Sequence, residues 1–247
     1  MGCWLERDRV ALCDQRQHGK TGNAEKMKIS VIVPTLNESE HILPCIRSVK
    51  EQAPDVEIIV VDGGSTDGTR DLAMPWALVL SAERGRPVQL NAGARQASGE
   101  VLLFLHADCT LDPRALTAVR EILNDGRILG GTFTLAFDTN LLRLRLLAFF
   151  TRLNFRILHY YGDQGIFVRR SAFEALGGFK DLPLMDDVDF LRRLHRTGAV
   201  GLINLPVTTS ARRFLARGIL RQQLLNTVLV GLYLLGFKAE TLARWYK

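Results

Sequence analysis

The chain of 247 residues lacks any apolar run of the ~18 residues that a membrane-spanning helix needs. The nearest approach, Leu224 to Phe237, is 14 residues long and is interrupted by Asn226 and Gly231. Four cysteines (Cys3, Cys13, Cys45, Cys109) form no Cys-x-x-Cys pair, which argues against a zinc ribbon or disulfide framework and fits a reducing compartment. Gly-x-Gly-x-x-Gly, the P-loop, His-Glu-x-x-His and a serine-nucleophile elbow are all missing. Rossmann-type dinucleotide binding, P-loop chemistry, metalloproteolysis and serine hydrolysis therefore have no sequence support. What is present, 47% hydrophobic and 23% charged residues, is ordinary globular composition; it excludes disorder, collagen-like repeats and coiled coil as the main state.

Acidic residues are scarce at the C-terminus. Residues 211–247 hold seven basic side chains and one acid, Glu240, so the net charge of +6 resides there and residues 1–210 are neutral overall. A basic tail points to phosphate-rich partners, and an apolar one favours anionic lipid over nucleic acid, for which no motif is present. Arg213, Arg217 and Arg221 recur every fourth residue, as do Leu220, Leu224 and Val228 on another face. That pattern suits a helix lying in a membrane interface, or one packing on the domain or on a second subunit. Residues 141–157 repeat the theme, with Leu142, Leu146, Phe149, Leu153 and Ile157 opposite Arg145, Arg152 and Arg156. Residues 1–26 are polar, aperiodic and without the apolar core of a signal peptide. The expected organisation is a disordered extension or misplaced start over 1–26, one domain over 27–210, and a basic amphipathic helical segment over 211–247.

The body alternates apolar strands with helices. Lys28–Val33, Glu57–Val61, Ala77–Leu80 and Val101–Leu105 read as strands. Helical patterns run from Asn37 to about Gln52 and over 87–98. Continuous apolar strands joined by helices predict an α/β fold with a mostly parallel sheet covered on both faces. Right-handed crossovers put the strand C-termini on one edge, where ligands bind. Asn37, Asp62 and Asp108 each follow a strand and are expected to border one crevice. Further on, Gly130–Phe137 and Gly165–Val168 read as strands, and Asp186–Thr197 as a helix stopped by Gly198.

Four groups carry candidate chemistry. Asp62-Gly63-Gly64-Ser65-Thr66-Asp67-Gly68 combines close-approach glycines with carboxylates that can accept hydrogen bonds from a sugar or base; the plainer reading is a tight turn with Asp67 capping a helix. Arg84-Gly85-Arg86 suits a diphosphate, or is a solvated turn. His106-Ala107-Asp108 ends the most apolar strand, and Asp108 is a candidate ligand for a hard divalent cation. Asp112, before Pro113, reads better as a helix cap than as a helper. Asp186, Asp187 and Asp189 crowd one helix start, where mutual repulsion is expected to raise one pKa and make a usable general base.

Taken in order, IVPTLNE (32–38), VVDGGSTDGT (60–69), RGRPVQLNAGARQASGE (84–100), FLHAD (104–108), YGDQGIFVRR (161–170), GGF (177–179) and MDDVDFLRRL (185–194) resemble the family 2 glycosyltransferases of the GT-A fold. The YGDQGIFVRR stretch is similar to a bacterial subgroup, some of whose members are named diaponeurosporenoate glucosyltransferases. The resemblance implies an inverting transfer from a nucleoside-diphosphate sugar, UDP by family weight, to a hydroxyl or carboxylate acceptor. It implies that Pro34, Thr35, Asn37, Glu38, Asp62, Gly63, Arg84, Arg86, Asn91, His106, Ala107 and Asp108 surround the donor. It implies Asp187, beside Asp186, as the catalytic base, and Asp163 and Gln164 on the acceptor or donor-sugar side. It also implies a divalent cation, Mg²⁺ or Mn²⁺, at Asp108 and His106. His106 stands where the family's metal motif has its first Asp, so the site carries one negative charge fewer and suits a softer ion. Asp186 likewise stands where the family has Glu. The two apolar-basic segments, 141–157 and 212–237, point to a lipid or carotenoid acceptor at the inner face of the cell membrane. The expected setting is therefore cytoplasmic or peripheral on that face, whose anionic surface is a further expected partner. Two rivals share the architecture: a non-catalytic nucleotide-sugar-binding relative, and a sugar nucleotidyltransferase, which would carry a glycine-rich basic loop where this chain has PTLNESE.

Overall fold

Residues 29–33, 58–61 and 101–104 are buried throughout, and their side chains sort by parity. Val31, Val33, Ile58, Val60 and Leu103 share one apolar core, and Ile32, Ile59, Val61 and Leu102 share another. That is the two-face burial of a parallel strand with helices on both sides. A computed structural model describes residues 10–13, 27–54, 56–148 and 164–246. Its elements are β1 (Val10–Cys13), β2 (Ile29–Thr35), α1 (Ile42–Lys50), β3 (Glu57–Asp62), α2 (Thr69–Ala73), β4 (Leu78–Ser81), α3 (Arg86–Gln96), β5 (Val101–Phe104), β6 (Cys109–Leu111), α4 (Ala115–Ile122) and β7 (Ile128–Phe137). Helical residues 142–148 (α5), β8 (Ile166–Arg169), α6 (Arg170–Ala175), α7 (Asp186–Thr197), β9 (Ala199–Thr209), α8 (Arg212–Arg217), α9 (Ile219–Leu234) and α10 (Ala239–Tyr246) follow.

The strands run in the order β1-β9-β7-β8-β5-β2-β3-β4, with β6 paired to β9. Helices α1 and α4 cover one face through Ile42, Ile46, Val49, Leu116 and Val119. Helices α3 and α7 cover the other through Leu90, Ala94, Phe190, Leu191 and Leu194. Gly93 lets α3 lie against β2, because a Cβ there would stand 2.4 Å from Ile32 Cγ2. The expected mostly parallel α/β sheet is present. Strands β8 and β6 run antiparallel to their neighbours, and β6 and β9 escaped the sequence reading.

Several boundaries differ from expectation for physical reasons. Helix α1 begins at Ile42, not Asn37, because residues 37–39 bond instead to the loop after β3. The amphipathic segment 212–237 is two helices, not one: Gly218, at φ 85°, separates α8 from α9. Arg213 and Arg217 therefore lie on one helix and Arg221 on another. Residues 211–247 do not trail from the domain. Leu229, Val230 and Leu242 pack on Met185 and Val188, while Ala211 packs on Leu144 and Leu147 of α5. Four of the 26 residues set outside the fold, Val10–Cys13, pair in parallel with Val200–Ile203. The remainder of the expected helix 141–157 lies outside the described residues.

Candidate active site

Two cavities meet at the C-terminal edge of the parallel strands. The first, about 320 Å³, is lined by Pro34, Thr35, Glu38, Arg84, Arg86, Gln89, His106, Ala107, Asp108 and Arg213. The second, about 620 Å³, is lined by Leu182, Pro183, Leu184, Leu229 and Val230 together with Asp181, Asp186, Asp187, Asn226, Glu240 and Tyr246. Arg84, Gly85, Arg86 and Arg213 line both. A narrow space of about 20 Å³ between them is bordered by Arg86, His106, Asp186 and Asp187.

Hydrogen bonds, not apolar contacts, set the floor of the smaller cavity. Gln89 Nε2 donates to Thr35 O at 2.8 Å and to Val61 O at 2.7 Å, tying α3 to the ends of β2 and β3. Asn37, at φ 55°, accepts from the Thr66 backbone N–H at 2.9 Å, and its own N–H donates to Ser65 Oγ at 2.9 Å. Asp62 is buried and accepts from the Gly64 and Ser65 N–H groups at 3.2 and 3.1 Å. Hydrogen bonds from Thr69 and from the Ser39 backbone hold the Asp67 carboxyl far below its ordinary pKa; its bond to the Thr69 N–H at 3.1 Å closes the expected turn, while the N-cap position of α2 is Gly68. So Asn37 and Asp62, expected to border the crevice, shape the loop that does; neither lines the cavity. Asp112, expected to cap α4, accepts from the Arg114 N–H at 3.0 Å, but the N-cap position of that helix is Arg114.

The acidic helix start divides its labour. Asp186, 2% exposed, takes both arms of the Arg86 fork, one at 3.0 Å. Asp187 lies 3.2 Å from the same guanidinium, and its other oxygen accepts the Val188 N–H at 2.7 Å. Asp189 points away and binds Lys180 Nζ at 3.0 Å and Arg193 Nε at 2.6 Å. Burial opposes its charge, but these two cations outweigh burial and hold its pKa below the ordinary value. The expected raised pKa is thus not found at Asp189. Asp186 and Asp187 share the Arg86 guanidinium, whereas Asp189 has cations of its own.

Packing fixes where this helix starts. Phe179 stacks on Phe190 of α7 at 4.5 Å and meets Phe104, at the end of β5, edge-on at 4.9 Å. The strand leading to His106 and the helix bearing Asp187 are therefore joined through one ring. Asn91, placed by sequence around the donor, clamps this joint: it donates to Phe179 O at 2.8 Å and accepts from the Phe179 N–H at 3.0 Å. It does not line either cavity. Met185, immediately before Asp186, sits at φ 66°, a conformation costly for a large side chain. Gln164 is 1% exposed with Oε1 unpartnered among the described residues, and Asp163 lies outside them.

Sequence reasoning missed the C-terminal cations. Strand β6 pairs with β9 so that Cys109 faces Thr209 and the Ser210 N–H donates to Asp108 O at 3.1 Å. That pairing delivers Arg212 to the carboxylates of Glu38 and Asp108, the latter at 3.4 Å. Glu38 Oε2 is buried and accepts no hydrogen bond among the described residues. Among those residues, no three His, Cys, Asp or Glu gather as a metal site. Two carboxylates with a spare buried oxygen do suit a hard cation whose shell is completed by phosphate oxygens.

A family model described as "Glycosyl transferase family 2" matches residues 30–177. The chain belongs to glycosyl transferase family 2. Within that family it is similar to the glycosyltransferase AglE of Haloferax volcanii, 36% identical over 93 residues, which are 33% of this chain and 31% of AglE. It is also similar to the GalNAc(5)-diNAcBac-PP-undecaprenol β-1,3-glucosyltransferase of Campylobacter jejuni, 34% identical over 109 residues, 40% of this chain and 35% of that protein. These matches span about a third of the length of such relatives. Among solved structures, the fold is similar to the mannosyltransferase PcManGT of Pyrobaculum calidifontis in complex with GDP-Man and Mn²⁺, with TM-score 0.61 at 23% identity over 74% of this chain and 56% of that one. It is likewise similar to the glucosyl-3-phosphoglycerate synthase of Mycobacterium tuberculosis with Mn²⁺ and UDP, with TM-score 0.58 at 22% identity over 79% and 77%. The mostly parallel α/β architecture is thus the GT-A fold. Asp187 and Arg212 both lie beyond the stretch that the family model matches.

Proposed function

We propose that this family 2 chain transfers a sugar, with inversion, from a nucleoside-diphosphate sugar in the smaller cavity to an acceptor in the larger one. The observation that carries the reading is Asp187, standing where the two cavities meet, 3.2 Å from an arginine that lines both. Asp187 takes the proton of the acceptor hydroxyl. The acceptor oxygen bonds to the anomeric carbon as the bond from that carbon to the diphosphate oxygen breaks. The electron pair leaves with the nucleoside diphosphate, and Arg84, Arg86 and Arg213 stabilise its charge. A divalent cation held by Asp108 and Glu38 would supply Lewis-acid stabilisation of the same leaving group. Asp186 is a positioning residue: it is buried and holds Arg86. An acceptor carboxylate arrives already deprotonated and asks less of Asp187.

The larger cavity is mixed: Leu182, Pro183, Leu184, Leu229 and Val230 support an acceptor with a lipophilic part, while Asp181, Asn226, Glu240 and Tyr246 can hydrogen-bond a polar part of it. The outer face of α9 supports an anionic membrane as the place where that acceptor is met. Leu220, Leu224 and Val228 are 72%, 67% and 47% exposed, on the side opposite buried Gln222, Leu229 and Val230. Exposed Arg217, Arg221 and Lys238 flank them. A second copy pressing the same face would bring like charges together, whereas anionic lipid neutralises them. No helix among the described residues is long and apolar enough to cross a membrane.

A thermal-shift panel of UDP, GDP, CDP, dTDP and ADP, with and without Mn²⁺, tests the donor reading. One diphosphate at a hundred times its dissociation constant should stabilise by about 2.7 kcal/mol, a rise of roughly 5–10 °C. A flat response to all five abandons donor binding and leaves only the fold.

A further inference from the structure

The cation nearest Asp108 is a side chain of this protein. Arg212 opens α8, and its Nη2 reaches Glu38 Oε1 and, at 3.4 Å, Asp108 Oδ2. Burial alone would weaken its charge; the bonds to Glu38 and Asp108 overcome this and hold the guanidinium more firmly protonated than usual. Its place is not accidental to a mobile side chain. The β6–β9 register, the Ser210–Asp108 backbone bond and the bond from the Ala211 N–H to Asp138 Oδ1 at 2.8 Å fix the backbone on either side.

The charge balance then has a consequence. Glu38 and Asp108 together carry two negative charges and Arg212 one positive. A divalent cation entering while Arg212 is in place meets only one net negative charge, plus direct repulsion from a guanidinium a few ångströms away. A diphosphate alters both terms. It offers the guanidinium a better bidentate partner and gives the cation oxygen ligands of its own.

We propose that Arg212 is the built-in counter-ion of the donor site. It competes with a divalent cation for Glu38 and Asp108, and the donor diphosphate relieves the competition by drawing the guanidinium to itself. Cation and nucleotide therefore bind cooperatively through one arginine of the C-terminal segment. The second half rests on the donor reading above; the first half does not.

Mn²⁺ binding to the full chain, followed by electron paramagnetic resonance or calorimetry in the absence of nucleotide, tests the first half. Arg212→Met should tighten Mn²⁺ by about tenfold or more, and Arg212→Lys should fall between it and the wild type. Adding Asp108→Asn to Arg212→Met should remove the gain. An Arg212→Met protein that binds Mn²⁺ no better than the wild type, with Arg212→Lys equally unchanged, overturns the competition. For the second half, the diphosphate selected by thermal shift should tighten Mn²⁺ more in the wild type than in Arg212→Met. Equal tightening in both overturns the displacement. If no nucleotide shifts the wild type while Arg212→Met still gains Mn²⁺, the donor reading fails and the competition stands.

Discussion

The two cavities differ in what builds them. Around the smaller one, each loop after a parallel strand is tied to the next by hydrogen bonds: Asn37 to Ser65 and Thr66, Glu38 to Thr69, Gln89 to the ends of β2 and β3. Around the larger one, the wall is helix α9 and the 182–188 segment, joined through Met185, Val188, Leu229 and Val230. Hydrogen bonds fix geometry to tenths of an ångström, as the proposed binding of a charged diphosphate requires. Apolar contact is non-directional and tolerates several shapes. Asp187 lines the larger cavity and the narrow space that leads to the smaller one, and the sharpest way to break the comparison is at that residue. Asp187→Asn should lower turnover of the donor, to acceptor or to water, by about two to four decades while nucleotide affinity is unchanged. Full activity in this variant would leave the junction without its base.

Helix α9 offers the second test, because it is apolar on both sides. Leu229 is 1% exposed against Met185 and Val188, and Leu224 is 67% exposed. Leu229→Ala should cost about 2–4 kcal/mol, lowering the melting temperature by roughly 4–16 °C, and should open the larger cavity. Leu224→Ala should change stability by less than about 0.5 kcal/mol. Equal effects in thermal melts would mean that α9 is not held by its inner face.

These two leucines also show what could be read in advance. Leu224 and Leu229 belong to one apolar run, and nothing in their spacing says which is inside. The parallel strands were legible because β2, β3 and β5 are buried on both faces and so are continuously apolar. Strand β9 was not: Asn204 and Pro206 interrupt it, and the break coincides with a shift in its register against β7 between Phe133 and Thr134. The acidic helix start at 186–189 was legible as a cluster, yet the partners that separate Asp186, Asp187 and Asp189 come from α3, from residue 180 and from the next turn of α7. Arg212 was read as part of a basic tail. Its approach to Asp108 depends on strands about 100 residues apart pairing in one register, and no local pattern encodes that.

Asp189 sharpens the contrast between the proposed base and a strut on the same turn. Its lowered pKa means that its ion pairs stabilise the fold above the unfolded carboxyl pKa, near 3.9, and that this contribution fades as pH falls through the folded value. Asp189→Asn should therefore lower stability by about 2 kcal/mol at pH 7, and the gap to the wild type should shrink below about pH 4. Thermal melts from pH 3 to 8 check both magnitude and sign. A gap that widens in acid would mean that Asp189 is not held as a carboxylate.

The smallest effect concerns the outer face of α9, where charge and apolar surface make separable contributions. Each arginine near an anionic bilayer adds about 1 kcal/mol of attraction, so Arg217→Gln with Arg221→Gln should weaken vesicle binding roughly 30-fold. Flotation with vesicles of one-third anionic lipid reads this directly, and raising salt should reproduce the loss in the wild type. Neither substitution touches the hydrogen-bonded cavity, so the nucleotide response should survive intact. Binding that ignores both charge and salt would argue that the exposed leucines, not the arginines, choose the partner. An apolar surface on another protein would then fit the face better than a membrane.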